Sequence, residues 1–173
     1  MRRGLEPVTH LMADSPPTPP SGRTIDFERG VPFLVSALGN KLSAIASRSV
    51  RRELGVGLME WRILALLAVE AEATPTRIGQ VAGVDKSVVS RAASTLEQRG
   101  LVAIAPGGPG GRQTRVTLTA DGRALHARGV EVAYLRNEDL LHGFSPKDRA
   151  QLAELLRRAT DNLPRLEPKR RGR

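Results

Sequence analysis

Residues 74–119 read TPTRIGQVAGVDKSVVSRAASTLEQRGLVAIAPGGPGGRQTRVTLT, and the order of signals within them decides the fold. Thr74-Pro75 is an N-cap followed by proline at the first helical position, where the missing N–H is not needed. A short helix then runs through Ile78, Val81 and Ala82. Gly83-Val84-Asp85 makes a turn: the glycine can take the left-handed conformation that ends a helix, and Asp85 can cap the next one. That second helix is predicted from Lys86 to about Arg99. It packs through Val88, Ala92 and Leu96, or through the neighbouring Val89 and Thr95, and stops at Gly100. Leu101–Ile104 and Arg115–Leu118 have the β-branched content of strands, and Pro106–Gly111 between them excludes regular structure. Helix, tight turn, helix and glycine-tipped hairpin together make a winged helix-turn-helix.

Working outward, helical spacing governs both flanks. Leu34, Leu38, Leu42, Ile45, Ser49 and Val50 put one face on a helix from about Val31 to Glu53, and Gly55 and Gly57 interrupt it. Leu58 to about Ala71 forms a helix apolar on most sides, which places it at the centre of the core. Thr119 caps a long helix to about Leu141, with Leu125, Gly129 and Val132 on one face. Ser145-Pro146-Lys147-Asp148 is a capping box with proline at its first position, opening a helix that carries Leu152, Leu155, Leu156, Ala159 and Leu163. The expected class is mainly α with a small β-wing. Its divisions are a disordered proline-rich tail (1–24), an N-terminal helix (25–57), the winged lobe (58–119), C-terminal helices (120–165) and a basic tail (166–173). The proline-rich tail can also be read as a proline-motif ligand.

Bulk properties exclude more than they specify. The chain has 173 residues, room for one cored domain but hardly for two. A net charge of +9 and a pI near 11.2 suit a polyanionic partner. Only four of the 27 bases are lysines, however, and Ala, Gly and Arg all abound, so part of the excess is compositional. The absence of cysteine excludes disulfides and thiolate metal sites. No apolar run approaches the ~20 residues of a membrane span, and no hydrophobic stretch follows Arg2 and Arg3. A soluble, cytoplasmic protein without membrane association is expected. His10, His126 and His142 lack metal-ligand spacing, no catalytic constellation stands out, and no cofactor is expected.

DNA recognition by a helix needs a small, polar and basic N-terminal face that can approach base edges and phosphates together. Lys86, Ser87, Ser90 and Arg91 supply it, with the apolar positions pointing the other way. Arg112 just past the glycine-rich tip, and Arg115 beyond it, add charge to the wing, where an arginine can enter the minor groove. From Thr74 to Thr119 there are six bases against two acids. The plainer reading is a solvated polar helix face. A phosphate-cradling nucleotide loop is excluded because no Gly-Lys-Ser/Thr follows the glycines.

These residues resemble the MarR (multiple-antibiotic-resistance regulator) family. The resemblance rests on Trp61-Arg62-Ile63-Leu64, on Ser90-Arg91, on Leu96-Glu97-Gln98-Arg99-Gly100-Leu101-Val102 and on Leu118-Thr119-Ala120-Asp121-Gly122, in the right order over residues 31–163. One departure stands out: the family's wing usually has an Asp two residues before the tip arginine, and here Gly110 precedes Arg112. The resemblance implies a homodimer on double-stranded DNA, with N- and C-terminal helices packed on a partner's and recognition helices about 10 bp apart. It further implies a repressor released by a small aromatic or phenolic effector. Trp61 and Arg48 are candidates for that ligand, as aromatic wall and anion partner, with Asn40 and Ser43 as further candidates. Trp61 can equally be core and Arg48 an exposed helix charge. Two alternatives are a winged-helix protein-interaction module and a non-specific architectural DNA-binding protein.

Overall fold

The computed structural model describes residues 29–107 and 113–166. The proline-rich N-terminal segment, the wing tip with Arg112, and the basic C-terminal segment lie outside them. Six α-helices and a three-stranded antiparallel sheet follow in the order α1 (Val31–Leu54), α2 (Leu58–Glu70), β1 (Glu72–Ala73), α3 (Pro75–Ala82), α4 (Lys86–Gln98), β2 (Val102–Gly107), β3 (Gln113–Leu118), α5 (Ala120–Leu140) and α6 (Pro146–Asp161). A 3-10 turn, Leu163–Leu166, closes the described chain. The fold is mostly helical with a small wing, as the sequence leads one to expect.

The chain divides into two compact units, residues 1–42 and 43–173. In the first, the opening turns of α1 leave Val31, Leu34, Val35 and Leu38 exposed. In the second, Ala46, Val50 and Leu54 of α1 are buried, at spacings of four. The stripe predicted through Ile45 therefore lies one residue off, since Ile45 is half exposed.

The core of the second unit forms around α2. Trp61, Ile63, Leu64 and Leu67 are buried there against Ile78 of α3, Val89, Ala93 and Leu96 of α4, and Val102 and Val116 of the sheet. The packing face of α4 is thus Val89, Ala93 and Leu96; Val88 and Ala92 are only half buried, and Thr95 is exposed, donating to the Arg91 carbonyl at 3.1 Å. Leu96 and the alternative Val89 are buried as expected, but the third position is Ala93 in place of Ala92 or Thr95, because the phase is set by which residues meet α2.

The sheet runs β1-β3-β2. In register, Glu72 faces Thr117 on one side of β3 while Ala103 faces it on the other. The strand β1 was not foreseen from the sequence, because two residues carry no alternation to detect. It follows Ala71, whose φ of +61° is in the region that favours glycine.

Candidate nucleic-acid interface

The α3–α4 turn follows from local chemistry. The Thr74 hydroxyl accepts from the Arg77 amide at 3.1 Å, and Pro75 takes the first helical position. Gly83 closes α3 at φ +67°, in the left-handed region, its amide donating to the Gly79 carbonyl. The Val84 amide reaches the same carbonyl at 3.0 Å. Gly79 is required for a different reason: a Cβ there would stand 2.8 Å from the Val84 carbonyl oxygen. The turn is folded tightly over its own helix, which fixes the direction in which α4 leaves.

Asp85 caps α4, accepting from the Ser87 amide at 2.7 Å. Its carboxyl is held below the ordinary aspartate range, chiefly by the Ser87 hydroxyl, then by that amide, with Arg91 adding a Coulombic contribution. Ser87, a sequence candidate for DNA, is therefore tied to the cap through its amide.

Lys86, Ser87, Ser90 and Arg91 are all exposed, and Val89 between them is buried. Charge pairing separates the cations of the lobe. Arg77 is tied to Glu70, with Nη2 donating at 2.6 Å, and this bond is the main reason the Glu70 carboxyl is depressed. Arg99 donates to the Gly55 carbonyl at 3.0 Å and approaches Glu60 at 3.4 Å. Arg115 on β3 pairs with Glu72 on β1. Among the described residues no acid stands within ion-pair distance of Lys86 or Arg91. Of the lobe's described cations without an ion pair, Lys86 and Arg91 are on the first two turns of α4 and Arg62 is on α2.

The far end of α4 is anchored. Glu97 accepts from the Ile104 amide at 3.1 Å, tying the helix to the wing. The Thr119 hydroxyl donates to the Gly100 carbonyl at 2.7 Å and accepts from the Gly122 amide at 3.0 Å, joining the end of α4 to the start of α5. A Cβ on Gly122 would run into the Leu101 carbonyl. The Leu118-Thr119-Ala120-Asp121-Gly122 motif is thereby explained as a close crossing of backbones.

The helix–turn–helix, the paired wing and these motifs match known proteins. The MarR family sequence model matches residues 54–113. A MarR/EmrR-family transcriptional regulator from Acinetobacter sp. ADP1 is 26% identical, with a TM-score of 0.75 over 82% of this chain and 99% of that one. In its winged-helix part the chain is similar to the MarR family. The matched Acinetobacter protein is a transcriptional regulator. Two further structures share the MarR-family fold. The Streptomyces coelicolor regulator PcaV, solved with its natural ligand, has 24% identity and a TM-score of 0.68 over 80% of this chain and 97% of that one. Bordetella bronchiseptica BpsR, whose DNA binding is regulated by 6-hydroxynicotinic acid, has 23% identity and a TM-score of 0.71 over 80% and 99%. Comparison with curated protein sequences gives no match. No helix among the described residues is long and apolar enough to cross a membrane.

The ligand candidates separate. Trp61 is buried to 9% exposure, stacks on His126 with ring centroids 5.6 Å apart, and lies where a Cβ of Gly129 would be. It also lines an open groove of about 440 Å³ with Arg62, Ala65, Leu66, Val69, Ile78, Val81 and Ala82. The cation of that groove is Arg62, not Arg48. Arg48 and Asn40 are exposed on α1 and Ser43 is half buried, and none of them lines it. Arg62 was legible as the one charge inside an otherwise apolar run, Trp61 to Val69, but nothing in the sequence says which way it faces.

Proposed function

We propose that this chain is a homodimeric repressor that reads duplex DNA with the N-terminal turns of α4 and is released by a small aromatic or phenolic acid. The observation that carries the DNA reading is the selective pairing of charge: Arg77, Arg99 and Arg115 are compensated by acids, while Lys86 and Arg91 are exposed beside Ser87 and Ser90. A face with free cations and small hydroxyls suits phosphates and base edges. Arg112 is proposed to follow the wing into or beside the minor groove.

Two features support the dimer. The opening turns of α1 expose Val31, Leu34, Val35 and Leu38, and separately α6 has no buried residue, with Leu155 and Leu156 nearly half exposed. Apolar helix faces of that kind ordinarily pack on something. A second copy is the proposed occupant, joined by residues 25–57 and 120–165.

The α2–α3 groove supports the effector reading, being of the size that holds a small ligand. Trp61 and Leu66 offer an apolar wall and Arg62 a carboxylate partner, while Arg48, Asn40 and Ser43 mark the alternative site on α1. Titration calorimetry with 6-hydroxynicotinic acid, the ligand of BpsR, tests the assignment. Binding lost in Arg62→Ala and kept in Arg48→Ala supports the groove, and the reverse result moves the site to α1.

The regulator reading itself is tested by selecting duplexes from a random library with the wild-type chain. Enrichment of one sequence with two related half-sites supports it. No enrichment leaves an architectural binder, and no duplex binding leaves a protein-interaction module.

A further inference from the structure

Arg115 lies at the base of the wing and was read from the sequence as a DNA ligand. Its surroundings point elsewhere. On the outer face of the sheet, Glu72 of β1 sits opposite Thr117, so Arg115, two residues along β3, is its diagonal neighbour on the same face. The guanidinium pairs with the Glu72 carboxylate. The aliphatic stem occupies the space a Cβ would take at Gly107, on the last position of β2. Gly107 has no positive φ, so its lack of a side chain is a matter of room rather than backbone conformation. One side chain therefore spans all three strands: rooted in β3, lying over β2 and gripping β1.

The wing needs such a tie. Residues 102–118 contain no Asp or Glu, and Gly110 stands where an acid could have paired with Arg112. The hairpin has no acid of its own: Glu97 of α4 holds its backbone at the Ile104 amide, and among the described residues the acid that pairs with a hairpin side chain is Glu72 of β1. β1 in turn is continuous with the end of α2, through Ala71, and so with the core.

We propose that Arg115 is a positioning residue, a strut that with Glu72 and Gly107 sets the angle of the wing relative to α4, and not a DNA ligand. This rests on the DNA-binding reading above. The pair is about half exposed on both sides, so its worth to global stability is small. Its effect is on where the wing points, which matters only when DNA has to meet the wing and α4 together.

The signs of the two accounts differ. If Arg115 grips phosphate, removing Glu72 frees it and tightens binding. If Arg115 is a strut, removing Glu72 weakens binding. Fluorescence anisotropy is used on the full chain with the duplex that wild type enriches from a random library, over a salt series, for Glu72→Gln, Arg115→Met, Gly107→Ala and the swapped pair Glu72→Arg/Arg115→Glu. The strut predicts about tenfold weaker binding for each single variant. It also predicts a Glu72→Gln/Arg115→Met double variant no weaker than either single one. The salt slope stays at the wild-type value, and the swapped pair recovers most of the affinity. A phosphate ligand instead predicts a slope smaller by roughly 0.9 in Arg115→Met and no recovery on swapping. Tighter binding in Glu72→Gln, or that loss of slope, overturns the strut while leaving the regulator reading intact. Should Arg115→Met unfold, by circular dichroism, Glu72→Gln and Gly107→Ala decide the matter. A wild-type chain that enriches no duplex overturns both.

Discussion

On the proposed function, Arg91 and Asp85 are the residues on which recognition turns, for opposite reasons: one has no ion-pair partner among the described residues, the other is held by the cap it makes. An exposed arginine on the second turn of α4 can form a bidentate pair with guanine or clamp a phosphate. Arg91→Ala should weaken binding to the selected duplex by about 1–3 kcal/mol at fixed salt if it reads a base. Unchanged affinity in an anisotropy titration removes Arg91 from the interface. Asp85 makes a prediction in pH. Its folded carboxyl is depressed by the Ser87 hydroxyl and amide, so the folded state binds fewer protons than the unfolded one between the two values, and stability rises with pH across that window. The contribution is complete above the ordinary aspartate range, about pH 4, and is lost as pH falls through the folded value. Asp85→Asn keeps a capping oxygen that does not titrate. The stability difference between wild type and Asp85→Asn, from denaturant unfolding, should fall as pH drops below about 4; a flat difference contradicts the cap.

Among the elements, what was legible was whatever announces itself locally. Thr74-Pro75, Gly83, Asp85, Thr119 and the Ser145–Asp148 box each declare a helix boundary through their own side chain or its absence, and each is found in that role. Less was visible where tertiary packing chooses among near-equals. Val88 and Val89 are chemically alike, and only α2 decides that Val89 turns inward. Strand β1 was invisible because its two residues gain their identity from pairing with β3. The candidate face of α4 was readable from residue type, yet the sequence could not separate free cations from paired ones, since Glu70 and Glu72 meet Arg77 and Arg115 only in the fold. Two changes probe these joints. Gly122→Ala drives a Cβ into the Leu101 carbonyl and should cost about 1–3 kcal/mol, read as a lower unfolding midpoint in denaturant; wild-type stability would mean that the α4–α5 crossing has slack. Ala71→Gly should raise stability by about 0.5–1 kcal/mol, because φ +61° is strained for alanine and easy for glycine. A lower midpoint would mean that the alanine methyl contributes packing that outweighs the strain.

At the scale of the whole molecule, the lobe around α2 provides a rigid platform that holds one end of α4 fixed and the other outward. Glu97, Arg99 and Thr119 secure the C-terminal end to the wing, the α1–α2 turn and α5. The tip that carries Lys86 and Arg91 is left to solvent. On the proposed dimer, two such tips would meet successive major grooves about one helical turn apart. The most direct measurement is anisotropy of the wild-type chain on its library-selected duplex, on that duplex with about 5 bp inserted between half-sites, half a helical turn, and on random DNA at one salt concentration. The account predicts tight binding to the first, affinity falling toward the random level for the second, and at least about a thousandfold preference over random DNA. Equal affinity for all three would contradict it.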